Sequence, residues 1–178
     1  MKKILVSWTD IESQTQEILR QLHRDQWRPD YVVGLTRGGL VPANLISQYL
    51  DVPMETLKVS LRDSDTGPES KPWMAEDAFG YVPNSSDVSS PAGRKKILIV
   101  DDINDSGATL SWIRQDWQSS CFPDDPRWKE EIWHRNVRVA VLIDNSASKF
   151  DVDYAGTEIN KIENPEWIVF PWENWWAR

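Results

Sequence analysis

Cysteine is nearly absent: Cys121 stands alone in 178 residues. It cannot form an internal disulfide, so the sequence points to a reducing cytoplasm. There are two histidines, His23 and His134. The first falls at the end of a helical pattern and the second in a polar excursion, so both read as exposed or structural rather than catalytic. Basic side chains are outnumbered 20 to 28, which gives a net charge of −8 and a pI near 4.8. That balance excludes nucleic acid as a main partner, because a phosphate backbone demands a basic surface. One phosphorylated small molecule needs only local positive potential and stays admissible. No apolar run approaches membrane-spanning length. The apolar run after Met-Lys-Lys is too short for a signal peptide. Neither a membrane partner nor a leader is therefore expected, and the length suits a single domain over 1–178. Tryptophan is abundant, with eleven in all. Trp167, Trp172, Trp175 and Trp176 crowd into the last dozen residues.

The most informative stretch runs from Lys96 to Leu110. Ile97 to Val100 is a continuous apolar run, the mark of a strand buried on both faces of a parallel sheet. Asp101 and Asp102 follow at once, then Asp105. The small polar turn Ser106-Gly107-Ala108-Thr109 comes next. Leu110, Ile113 and Trp117 then repeat at helical spacing. A glycine turn opening a helix aims several backbone N–H groups one way, and the helix dipole adds positive potential, so this turn suits a phosphate. The hydroxyls of Ser106 and Thr109 can donate further bonds. Asp101 and Asp102, at the carboxyl end of the strand, suit ribose hydroxyls or a hard divalent cation. In an open α/β sheet that crevice is where ligands sit.

Elsewhere the chain alternates strand and helix signals. Ile4–Trp8 reads as a short strand, and Thr9 with Glu12 as a capping box for a helix over 10–25. That helix buries Ile11, Ile18, Leu19 and Leu22. Tyr31–Leu35 is a second buried strand. It runs into Thr36-Arg37-Gly38-Gly39 and a helix from Leu40 to Tyr49, with Pro42 in its first turn. Paired glycines let backbone approach an anion, and Arg37 can add a charged contact. Leu57–Leu61 alternates as a half-buried strand should. The long polar segment 62–96 reads as a lid or an insertion, with a hairpin over 72–82 at its base. Segment 119–135 is a second polar excursion, in which Arg127–His134 forms a short helix. Val137–Ile143 is another buried strand, and Trp167–Glu173 is a closing run.

The 97–109 segment resembles the phosphoribosyl-pyrophosphate (PRPP) motif of the type I phosphoribosyltransferases at every position: four apolar residues, two acids, two variable positions, Asp, Ser, Gly, a variable position and Thr. The resemblance extends over nearly the whole chain to the bacterial xanthine-guanine enzymes of that family. It is carried by the opening Ser-Trp, by Val-Gly-Leu-Thr-Arg-Gly-Gly-Leu-Val-Pro-Ala, and by Trp-Ile-Val-Phe-Pro-Trp near the end. It implies a central, mostly parallel sheet flanked by helices, a small hood over 150–178 and a mobile lid. It implies magnesium bound at Asp101 and Asp102, and PRPP held by Asp101, Asp102, Asp105, Ser106, Gly107, Ala108 and Thr109. Asp105 would act as general base. Thr36, Arg37, Gly38 and Gly39 would hold pyrophosphate, with a cis Thr36–Arg37 peptide. Trp167 would stack on a purine whose edge is read at Ile168. Dimers or tetramers are common in the family.

One position departs from the pattern. Oxopurine-specific members carry a lysine after the strand equivalent to Val137–Ile143, and here Asn145 stands there. Either Asn145 or Lys149 would have to take its task. Two alternatives to oxopurine salvage follow: transfer to another base, or a regulatory protein that binds PRPP without catalysis.

Overall fold

The computed structural model describes residues 2–59, 61, 67–81, 91–173 and 176. Its strands are β1 (Lys2–Leu5), β2 (Tyr31–Thr36), β3 (Met54–Lys58), β4 (Ile97–Asn104), β5 (Val137–Asn145), β6 (Tyr154–Ile159) and β7 (Glu166–Val169). Five of them form one sheet in the order β3-β2-β4-β5-β6, and every pairing is parallel. Parallel neighbours need crossovers, and helices supply most of them. They are α1 (Trp8–Arg24), α2 (Leu40–Leu50), α3 (Pro72–Phe79) and α4 (Ala108–Ser120).

Strand alternation divides the core in two. Leu98 and Val100 of β4 face a layer containing Ile11, Ile18 and Leu22 of α1 with Ala43 and Ile46 of α2. Ile97 and Ile99 face the opposite layer, where Met74 and Phe79 of α3 pack with Leu110, Ile113 and Trp117 of α4. Each such large apolar side chain, fully buried, stabilises by about 1.5–3 kcal/mol. After β2 the chain turns to β3 on one side, and after β4 it turns to β5 on the other. The order of winding therefore reverses between β2 and β4, which opens a crevice at their carboxyl ends.

β1 and β7 form a separate two-stranded parallel sheet, Lys2 opposite Glu166 through Leu5 opposite Val169. The hood is thus built from both ends of the chain rather than from 150–178 alone, and β6 belongs to the main sheet. The sequence gives no short-range sign of this, because the paired residues lie more than 160 positions apart.

Several expectations need correction. The cap of α1 is Ser7, whose Oγ accepts from Asp10 N at 3.1 Å while Asp10 Oδ2 accepts from Ser7 N at 2.8 Å. Thr9 lies inside the helix, and Trp8 begins it instead of ending a strand. β3 sits three residues earlier than its side-chain alternation suggested, because its register is set by the β2 backbone, from Val32 opposite Met54 to Thr36 opposite Lys58. The hairpin over 72–82 is instead the helix α3, with Pro72 in its first turn and Gly80 closing it at φ 84°. Those are ordinary start and stop signals. The helix buries Met74, Ala75, Ala78 and Phe79, so this part of the 62–96 segment is core rather than lid. Residues 62–66 and 82–90 of the expected lid lie outside the described residues. In the second excursion, Trp128–Ile132 forms one π-helical turn. It carries the fully buried Trp128, whose Nε1 donates to Cys121 O at 2.9 Å.

Candidate active site

The apolar part of β4 is held between β2 and β5, and its last residues project beyond β2 into the crevice. There Asp101 to Leu110 line a cavity of about 330 Å³ together with Lys161, Trp167, Ile168, Phe170 and Glu173. That volume lies in the range of small-molecule sites. A second cavity, about 630 Å³, adjoins it and shares Asp102 and Glu173. Arg37, Gly38, Leu40, Val41, Trp172 and Trp176 complete its lining.

The turn from Ser106 to Thr109 has the geometry of an anion cradle. Gly107 adopts φ 80°, a left-handed conformation that glycine enters without a Cβ penalty, and it caps α4 with no side-chain bond to the helix. The first N–H groups of α4 therefore open toward the cavity, with Ser106 Oγ 3.4 Å from Ala108 N. Such a helix start favours negative charge.

The two carboxylates at the end of β4 stand beside each other, half-buried in the cavity lining. Asp102 N donates to Asp101 Oδ1 at 2.9 Å. Burial, reinforced by the neighbouring carboxylate, holds Asp101 well above the usual carboxylate range. Burial also raises Asp102, and the Glu173 carboxylate adds to the rise. Half-buried negative charge of this kind invites a cation. Among the described residues no group of three or more His, Cys, Asp or Glu side chains could hold a metal by itself. The pair therefore fits a hard divalent ion that takes its other ligands from water and phosphate oxygens, the habit of magnesium.

The loop between β2 and α2 faces the same region. Its Thr36–Arg37 peptide is cis. Gly38 passes so close to Asp102 that a Cβ there would lie 1.8 Å from the carboxylate oxygen. Gly39 lies against the backbone of β4 and β2 and lines neither cavity. Thr36 also stays out of the lining.

On the hood side, Trp167 is 44% exposed and lines the first cavity, with Ile168 beside it on β7. The other tryptophans have different employment. Trp172 stacks on Phe170 at 4.9 Å between ring centroids and meets Trp8 at 6.0 Å. Trp117, Trp128 and Trp133 pack together inside the domain.

Neither residue considered for the missing lysine lines the cavity. Asn145 is buried and fully engaged: its Nδ2 donates to Asp105 O at 2.8 Å, and its Oδ1 accepts from Lys161 N at 3.0 Å and Ala147 N at 3.3 Å. Lys149 is exposed, and its backbone N donates to Ser106 O at 3.4 Å. The cation that does line the cavity is Lys161. Its Nζ lies 3.0 Å from Asp105 Oδ2, with the lysine side chain 17% exposed. Sequence reasoning missed it because it lies in the turn between β6 and β7, far from any motif. Glu173 was missed too. Its Oε2 accepts from Phe170 N at 2.9 Å, which closes the turn after β7 and brings the acid to both cavities.

A doubly wound parallel sheet, an anion cradle at the start of α4 and a half-buried acid pair beside it define a protein built to bind a phosphorylated sugar. The profile of the phosphoribosyl transferase domain matches residues 3–176, and the chain belongs to the phosphoribosyltransferase family. Two of its similar relatives are named xanthine-guanine phosphoribosyltransferase. That of Cereibacter sphaeroides is 30% identical over 176 residues, covering 94% of this chain and 85% of the relative. That of Idiomarina loihiensis is 24% identical, covering 97% and 88%. Among solved structures, the purine phosphoribosyltransferase of Pyrococcus horikoshii aligns with a TM-score of 0.66 at 23% identity, over 98% of this chain and 96% of that one. The xanthine-guanine-hypoxanthine enzyme of Helicobacter pylori aligns at 0.65 and 19%, over 97% and 95%. These structures share the fold. No helix among the described residues is long and apolar enough to cross a membrane.

Proposed function

We propose that this phosphoribosyltransferase serves purine salvage, moving the 5-phosphoribosyl group of PRPP to guanine, xanthine or hypoxanthine and releasing pyrophosphate. The observation that carries the reading is the first cavity. Its lining joins the Asp101–Leu110 turn, suited to a ribose phosphate, to Trp167 and Ile168, suited to a flat base. The names of the curated relatives support the same choice of base.

In the reaction the bond from ribose C1 to the pyrophosphate oxygen breaks, a bond from a base nitrogen to C1 forms, and the base loses a proton. The protein's task is to hold the two reactants in line and to steady the departing charge. The N–H groups at the start of α4, with Ser106 and Thr109, hold the 5-phosphate. Arg37 and Gly38, which line the second cavity, take the pyrophosphate, while Thr36 at the end of β2 and Gly39 against β4 seat their loop. Asp101 and Asp102 would hold magnesium, which would supply positive charge to offset the departing pyrophosphate. Asp105, half exposed at the mouth of the cavity, accepts the proton from the base nitrogen. Trp167 stacks on the base, and the backbone at Ile168 meets its edge. The enzyme works in the cytoplasm as one domain per chain and assembles as a homodimer or tetramer. Exposed Leu5 and Trp8 offer apolar surface for that assembly.

The test is nucleotide formation from PRPP and magnesium with guanine, hypoxanthine, xanthine, adenine and uracil in parallel. Product with the oxopurines is expected. Binding of PRPP with no product from any base would replace the enzyme with a PRPP-binding regulator, and product from uracil alone would reassign the base.

A further inference from the structure

We infer that Lys161, paired with Asp105, determines the choice of base by reading the edge of the purine that carries the 6-oxo group and N7. This rests on the purine-transferase reading above and adds to it a residue that no motif marks.

Among the described residues, Lys161 is the one cation lining the first cavity. Its Nζ and Asp105 Oδ2 stand 3.0 Å apart, one from the turn between β6 and β7 and one from the turn after β4. An ammonium only donates and a carboxylate only accepts. Guanine, xanthine and hypoxanthine present, on one edge, an oxygen acceptor at C6 beside N7, which gives up its proton as N9 attacks ribose C1. A donor and an acceptor side by side match that edge, with Lys161 at the oxygen and Asp105 at the N7 proton. Adenine offers an amino group at the same place. Its N–H would face the ammonium donor to donor, so the lysine would find no acceptor on that edge of the base. A site built to bond one group rejects the analogue that lacks it, for this reason.

The position of Lys161 is engineered by Asn145. One buried amide ties the carbonyl of Asp105 and the N–H of Lys161 together. The two members of the pair are therefore set at a fixed separation by a third residue that does not reach the cavity. A side chain of this length on a turn would otherwise lose its placement to rotamer freedom.

The experiment compares wild type, Lys161→Met and Lys161→Arg at saturating PRPP and magnesium. It measures kcat/KM for guanine and hypoxanthine, the competition constant of adenine, and the KM for PRPP. Loss of one charged hydrogen bond corresponds to a drop of about tenfold to a hundredfold. Lys161→Met is expected to lose that much with both oxopurines, to bind adenine no more weakly, and to keep its KM for PRPP. Lys161→Arg is expected to recover part of the loss. Melting temperatures of both variants close to wild type show that the fold is intact. Equal losses for oxopurines and adenine would overturn the inference, because the lysine would then act only through Asp105. Unchanged oxopurine kinetics in Lys161→Met would overturn it and leave the transfer reaction standing. A wild-type protein that makes no nucleotide from any base would remove both readings, and that result is visible before any variant is compared.

Discussion

Adding one methyl group at Gly39 and one at Gly38 should have opposite consequences, although the glycines are adjacent. A Cβ at Gly39 would stand 2.3 Å from Val100 O, 2.9 Å from Asp101 Cα and 2.9 Å from Leu35 N. All three are backbone atoms of β4 and β2, the two strands that flank the crevice, so nothing nearby can turn aside. Overpacking of a rigid site typically costs about 1–3 kcal/mol, and a clash with two strand backbones belongs at or above the upper end. At about 2–4 °C per kcal/mol for a chain this size, Gly39→Ala should melt about 6–12 °C below wild type. A Cβ at Gly38 would stand 1.8 Å from Asp102 Oδ2 and 2.3 Å from its Cγ. Those are side-chain atoms, and the carboxylate can rotate away. Gly38→Ala should therefore lose only about 1 kcal/mol, near the ordinary value for a substitution. It should be the more damaged in PRPP binding, because Asp102 has left its place between the two cavities. Thermal unfolding read by tryptophan fluorescence, alongside the KM for PRPP, separates the two effects. A Gly39→Ala protein melting within about 2 °C of wild type would refute the close approach of the loop to the sheet. So would a Gly38→Ala protein that is the less stable of the pair.

Two further predictions concern the acids and the hood. Burial raises Asp101 above its ordinary value of 3.8, so the folded state favours its protonated form. Its stabilising share is complete below about pH 4 and is lost as pH rises through the elevated folded value. In protein free of metal and PRPP, Asp101→Asn should therefore melt higher than wild type at pH 8, with the difference closing toward pH 4; a constant difference across that range would contradict the burial argument. Trp167→Ala should raise the KM for the base by about tenfold to a hundredfold, the usual worth of a base–aromatic stack, and leave the KM for PRPP unchanged. An equal rise in both constants would mean that Trp167 supports the hood rather than the base.

Much of the fold was legible locally. The runs at 31–35, 97–100 and 137–143 are apolar without alternation, Arg138 apart, because both faces of the sheet are covered, and each lies within an observed strand. Helix α1 shows its buried face in the spacing of Ile11, Ile18, Leu19 and Leu22. The β4 turn was legible as a site because its pieces are contiguous: acids at a strand end, then glycine, then a helix start. Helix α3 was missed although Pro72 and Gly80 mark its ends, because the polar composition around it suggested a loop.

Sequence by itself determined β2, β4 and β5, the helices α1, α2 and α4, the phosphate turn and the acid pair, since each depends on residues within a few positions of one another. Tertiary structure alone decided that β1 and β7 make the hood, and that Lys161 rather than Asn145 or Lys149 brings a side-chain amine to the Asp105 carboxylate in the first cavity. These contacts join segments more than 50 and more than 160 residues apart. Such pairings are set by strand register and by the hydrogen bonds of buried side chains such as Asn145, and neither leaves a periodic trace in the chain.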